Sequence, residues 1–176
     1  YGGEDYDASR EQKGWNQIGF DDSHWRPVVV QEAPKGVLRP QMAAPVKIME
    51  RCDIQKVTKL NAEQIASASI STKRTVDPSA FVLDMGQNLA GFPEITVRGK
   101  RGQKVTLIVA EALTDEGACN QRQTGRQHYY EYTLKGEGDE TWHPRFSYYG
   151  FRYIQVEGAV LKGQKNPQKL PVLKNI

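Results

Sequence analysis

Asp84, Gln87 and Asn88 are the residues of this 176-residue chain best placed to do chemistry. They cluster around Gly86 and ahead of Gly91 in FVLDMGQNLAGFPEITV, Phe81–Val97. Apolar runs on both sides read as strands, so the polar residues fall in a Gly-rich turn. A carboxylate and two amides there can take the hydroxyls of a polar ligand, or they can hold the turn's own backbone. Asp84 accepting N–H groups of the Gly86–Asn88 turn is the simpler reading. Glu111, like Asp84, ends an apolar strand. Two carboxyls serve as acid and base only when they stand about 5–9 Å apart across a groove. Nothing in the spacing sets these two so. Glu111 is expected to pair with an Arg such as Arg152, or with loop backbone.

A second group is aromatic. Trp142, Tyr148 and Tyr149 flank a turn bounded by Pro144 and Gly150, with further tyrosines upstream and Phe151 and Tyr153 downstream. Exposed aromatic faces can meet the C–H surface of a sugar ring. The competing reading puts these rings in a core or an interdomain contact; it is the stronger one for all five, most of all for Phe151 and Tyr153. A third group is acidic. Glu4, Asp5 and Asp7 lie close together, and hard oxygen ligands at such spacing can hold calcium. A solvated acidic loop is simpler, and no cofactor is required. His24, His128 and His143 show no zinc spacing. Cys52 and Cys119 are most simply two free buried thiols.

Composition narrows the classes. The net charge is +3, from 24 basic and 21 acidic residues, and describes a mixed surface, not a nucleic-acid footprint. No apolar run approaches the ~18 residues of a membrane-spanning helix. A hydrophobic fraction of 38% can build a core, and 16 Gly and nine Pro exceed what a helical protein tolerates.

The elements that must carry these groups read as strands. Val28–Val30, residues 46–50 and residues 54–60 are expected strands, and Ile65–Ser71 alternates at period two. Phe81–Asp84, Phe92–Val97 and Val105–Ala110 follow, the last apolar enough for both faces to be covered. Tyr129–Leu134 sets Tyr130, Tyr132 and Leu134 on one face. Phe151–Val156 sets Phe151, Tyr153 and Gln155 on one face and Arg152, Ile154 and Val156 on the other. Residues 98–104, RGKRGQK, read as a hairpin turn, and residues 72–79 and 112–127 as loops. No helix stands out. Many short strands between turn signals predict an all-β sandwich of jelly-roll or Greek-key type.

The same residues carry a family resemblance. GEDYDAS (3–9), GFDDSHWRPV (19–28), LRPQMAAPVKIME (38–50), the long block 81–113 and YTLKGEGDETWHPRFSYYGFRYIQVEG (132–158) occur in order. Together they resemble the β-sandwich region upstream of the catalytic domain in bacterial α-L-rhamnosidases of glycoside hydrolase family 78. The resemblance implies that residues 1–32 end an N-terminal galactose-binding-like β-sandwich. Residues 33–158 would then be a complete second sandwich, and 159–176 a linker to the next domain. It also implies that the catalytic (α/α)6 barrel lies elsewhere, so that this fragment cleaves nothing while its parent hydrolyses rhamnosides. Phe92 stands where the family commonly has Trp, Tyr149 where it commonly has His, and Pro93 is unusual at a strand start.

The expected function is a non-catalytic accessory domain of a multidomain α-L-rhamnosidase. Its partners would be the parent's other domains, especially the barrel, with no nucleic acid or membrane. The alternative is an autonomous module for L-rhamnose-like sugars, assisted by calcium. The setting is bacterial, with the periplasm or cell exterior favoured over the cytoplasm.

Overall fold

The computed structural model describes residues 2–72, 77–122, 124 and 127–176. Part of the expected loops at 72–79 and 112–127 lies outside them. The chain divides into two compact units, one of Tyr1–Arg10 with Arg51–Ile176 and one of Glu11–Glu50.

The larger unit is a sandwich, as the short alternating strands predict. Its strands are β1 (Gly3–Asp7), β2 (Lys56–Lys59), β3 (Phe81–Gly91), β4 (Ile95–Arg98), β5 (Lys104–Ala110) and β6 (Ala112–Leu113). Then come β7 (Cys119–Asn120), β8 (Tyr129–Thr133), β9 (Asp139–Trp142), β10 (Tyr149–Glu157), β11 (Val160–Leu161) and β12 (Val172–Asn175). One sheet has the order β1-β8-β5-β10-β3-β2, the other β11-β12-β4-β9, and β6 with β7 makes a small third. Between the two main sheets lie Phe81, Leu83 and Met85 of β3, Val105, Leu107 and Val109 of β5, and Ile154 and Val156 of β10. Ile95, Val97, Trp142 and Leu173 come from the other side. These are the alternate positions of each strand, which is how period-two patterning builds a core.

The large sheet is covered on its outer face too. Val82 packs there with Leu60, Ala80 and Ala118. Ile108 and Ala110 pack with Cys119. The double burial expected of Val105–Ala110 is therefore present, with six of the seven β5 residues buried. Tyr130, Tyr132 and Leu134 share the inner core, also as expected.

Several expectations give way. Ile65–Ser71 is not a strand: it lies in α1 (Ala62–Thr72). The local signal is a capping box, in which Asn61 Oδ1 accepts the Gln64 N–H at 2.8 Å and Gln64 Oε1 accepts the Asn61 N–H at 2.9 Å. That reciprocal cap outweighs a period-two pattern made largely of Ala and Ser, which suit either state. Residues 98–104 are no hairpin, because β4 and β5 belong to different sheets and the turn crosses between them. Glycine at 102, with φ 80°, makes that corner. Residues 28–30 and 46–50 form no regular strand and are exposed.

The domain limits also move. β1 pairs in parallel with β8, Gly3 to Tyr129 through Asp7 to Thr133, so the first ten residues belong to the main sandwich. The end of the chain is not a linker. β12 pairs antiparallel with β4, and Leu173 is buried in the central core. In the smaller unit, Trp25 Nε1 donates to Gln12 Oε1 at 2.6 Å and its ring meets Phe20 at 5.6 Å. Asp21 Oδ1 accepts the Ser23 N–H at 3.0 Å, the turn chemistry that GFDDSHW predicts.

Leu173→Ala should therefore cost about 2–5 kcal/mol in a urea unfolding series, the usual range for a filled core position. A loss below about 0.5 kcal/mol, typical of surface sites, would return this segment to the status of a linker.

Candidate functional site

The polar turn of the sequence is a bulge within one strand. β3 runs unbroken from Phe81 to Gly91, paired with β10 on one side. Leu89 faces Phe151 and Asp84 faces Tyr153, so Met85–Asn88 on β3 oppose Arg152 alone. A mismatch of this size must be held, because its residues leave the hydrogen-bond ladder. Asp84 does so. Its Oδ1 accepts the Gly86 N–H at 2.7 Å and the Arg152 Nε–H at 2.8 Å, while Oδ2 accepts from Arg152 Nη2 at 3.0 Å. Glycine is required at 86, with φ 83° and Gln55 Cγ only 2.8 Å from where a Cβ would stand.

The guanidinium beside Asp84 holds its carboxyl below the usual carboxylate value, against a smaller upward push from burial. Arg152 also lies 5.1 Å from the Tyr153 ring centre, so both side chains share the outer face of the sheet. Phe151, by contrast, packs inward with Ile154 and Val156. The predicted faces of Phe151 and Arg152 are thus exchanged, because the register slip at 151–153 inverts the alternation.

The remaining predicted residues disperse. Gln87 and Asn88 are exposed on the bulge, and Asp84 alone of the three holds its backbone. Arg152 is paired with Asp84 and not with Glu111. Glu111 instead lies against Gly150, where an added Cβ would stand 2.8 Å from its Oε1. Trp142 is only 5% exposed and stacks on Tyr132 at 5.2 Å, so it lies in the core and presents no face to a sugar. Tyr149 is half-buried and stacks on His128 at 4.0 Å. Tyr148 alone of the three is well exposed.

The acidic trio divides in the same way. Glu4 accepts the N–H groups of Arg145 at 2.9 Å and Phe146 at 3.1 Å. Asp7 caps the Ser9 N–H at 3.0 Å. Asp5 holds a position opposite Glu131 on β8. Among the described residues no three His, Cys, Asp or Glu side chains are placed together to hold a metal ion. Both cysteines are free. Cys119 is buried, which pushes its thiol up to about 12, and Cys52 is half-buried.

Sequence reasoning marked the turn after β9 but missed Arg145, Phe146 and the brace beneath them. There Arg145 lies 5.3 Å from the Tyr6 ring centre, and the Glu4 carboxylate pins the backbone. Phe146 projects with 91% exposure beside Tyr148 at 55%. The signal was present in HPRFSYYG, but Glu4 lies far away in sequence and nothing local marks it as the brace.

Two packed sheets and a bulge locked by an ion pair define a β-sandwich domain. The comparisons agree. The model of the bacterial α-L-rhamnosidase concanavalin-like domain matches residues 74–173, and that of the α-L-rhamnosidase N-terminal domain matches residues 1–50. The chain belongs to the α-L-rhamnosidase family, as a β-sandwich region distinct from an α-helical catalytic barrel. It is 37% identical over 161 residues to an α-L-rhamnosidase of Streptomyces avermitilis, covering 89% of this chain and 14% of that protein. A Formosa agariphila α-L-rhamnosidase is 31% identical over 170 residues, 92% of this chain and 16% of its own length. Both relatives are bacterial, and the chain spans only about a sixth of their length.

Among solved structures, native α-L-rhamnosidase of Aspergillus terreus superposes with a TM-score of 0.76 at 30% identity, over 100% of this chain and 19% of that one. The Streptomyces avermitilis enzyme complexed with L-rhamnose gives 0.71 at 33% identity, over 98% and 16%.

Asp84→Asn should lower the urea midpoint at pH 7. Because the folded pKa of Asp84 is depressed, its contribution is complete above the unfolded value of about 3.9 and fades as pH falls through the folded value. The gap between variant and wild type should therefore close below about pH 4. A gap that stays constant down to pH 2.5 would show that the ion pair carries none of it.

Proposed function

We propose that this chain is an accessory β-sandwich of a larger α-L-rhamnosidase. The parent would release terminal α-L-rhamnose from glycans or glycosides, and this region would pack against its catalytic barrel and shape one wall of the cleft. The observation that carries the reading is the Arg145–Tyr148 loop. Its backbone is fixed by Glu4, so Phe146 is held out in water by a rigid support. An aromatic ring presented in this way is a typical anchor for a desolvated contact, and the backbone beneath it is already ordered before docking. Tyr148 extends the same surface. Family membership supports the choice of partner: the relatives are several times longer than this chain, which leaves ample length for a barrel.

Two measurements test this. The isolated 176-residue chain should show no hydrolysis of an aryl α-L-rhamnoside. Phe146→Ala should change the isolated chain's stability by less than about 0.5 kcal/mol, as for a surface site, yet lower the melting temperature of the full-length parent by several degrees. Turnover by the isolated chain, or a parent indifferent to the substitution, would contradict the proposal.

A further inference from the structure

The braced loop after β9 holds a shallow hollow of about 240 Å³, lined by Phe146, Ser147, Tyr148 and Tyr149. That volume falls below the ~300–1,000 Å³ of small-molecule sites and suits a single side chain. Three of the four lining residues are aromatic. An aromatic ring carries its negative potential on its face, so such a hollow accepts an apolar group or a cation.

The charge beside the hollow decides between the two. Glu111 follows β5, is exposed, and stands in no ion pair among the described residues. Its Oε1 lies 2.8 Å from where a Cβ on Gly150 would stand, so the carboxylate lies over the residue that adjoins Tyr149. Consecutive Cα atoms are ~3.8 Å apart, which keeps this charge within a long side chain's reach of Tyr148. The nearby cations are already engaged. Arg152 is forked on Asp84. Arg145 lies 5.3 Å from the Tyr6 ring centre, its Nη2 is 3.4 Å from the Tyr6 hydroxyl, and its backbone N–H is held by Glu4. Glu111 is thus the charge beside the hollow that has no partner among the described residues.

We infer that the hollow and Glu111 together receive an arginine side chain from a neighbouring domain of the parent. The guanidinium plane stacks on the exposed Phe146 and Tyr148 rings, and its N–H fork donates to the Glu111 carboxylate. Lysine would bring the charge but neither the plane nor the fork. The inference rests on the docking role proposed above, and names the chemistry of the surface that docks.

Thermal unfolding of the full-length parent, with the isolated chain as control, tests it. Glu111→Gln should lower the parent's melting temperature by a few degrees. Glu111→Lys should lower it further, because a like charge then faces the arginine. Neither should move the melting temperature of the isolated chain. The arginine is overturned, and the docking role left standing, if Phe146→Ala weakens the parent while the Glu111 variants do not. It is overturned equally if Glu111→Lys is no worse than Glu111→Gln, or if both destabilise the isolated chain as much as the parent. A parent indifferent to Phe146→Ala removes the docking role and this inference with it.

Discussion

The Asp84 carboxylate and the Arg152 guanidinium meet through two hydrogen bonds where β3 and β10 of the large sheet fall out of register. β10 pairs with β3 on one side and β5 on the other, so any slip there would move the inward-facing residues of the sheet. The bulge takes up the extra residues of β3 without disturbing the ladder on either side. Leu83 still faces Ile154 and Leu89 faces Phe151. A bidentate Arg–carboxylate pair suits this task because its planar fork fixes an angle as well as a distance.

Register then sets burial. With Phe81, Leu83 and Met85 turned inward, β3 closes the core against Ile95, Val97, Trp142 and Leu173. With Val82 turned outward, it receives Leu60 and Ala118 on the opposite face. Burying a sheet on both faces leaves little apolar area unspent, and each fully buried Leu or Phe is worth about 1.5–3 kcal/mol. What remains exposed near this core is specific: the braced Phe146 and Tyr148, and the Glu111 carboxylate.

Much of this was legible in the sequence. Alternation found β8 and β10, because a half-buried strand writes its two faces into every second residue, and a nearly unbroken apolar run found β5, buried on both faces. Ordered blocks of residues found the family. The failures have physical causes. Asp84, Gln87 and Asn88 read as a turn, because a wide bulge uses the same Gly and Asx chemistry as a turn, and only the pairing partner distinguishes them. Trp142 carried a sugar-platform alternative to the core because aromatics crowd its neighbourhood. Its partners, Tyr6 and Tyr132, are brought together by the β1–β8 pairing, which no local pattern announces. Glu4 carried a calcium alternative beside the simpler solvated loop; its carboxylate accepts two backbone N–H groups from a loop far away in sequence. Residues 159–176 read as a linker because Lys, Gly and Pro are frequent there, although β12 pairs with β4 and β11 and buries Leu173.

Asp84 locks the DMGQNLAG bulge through Gly86 and Arg152. Amide hydrogen exchange of the isolated chain tests this most directly. The Gly86 amide, donated to Asp84, should be protected, while Gln87 and Asn88 exchange rapidly with or without millimolar L-rhamnose. A Gly86 amide that exchanges as fast as its neighbours, or protection of Gln87 and Asn88 on adding the sugar, would contradict it.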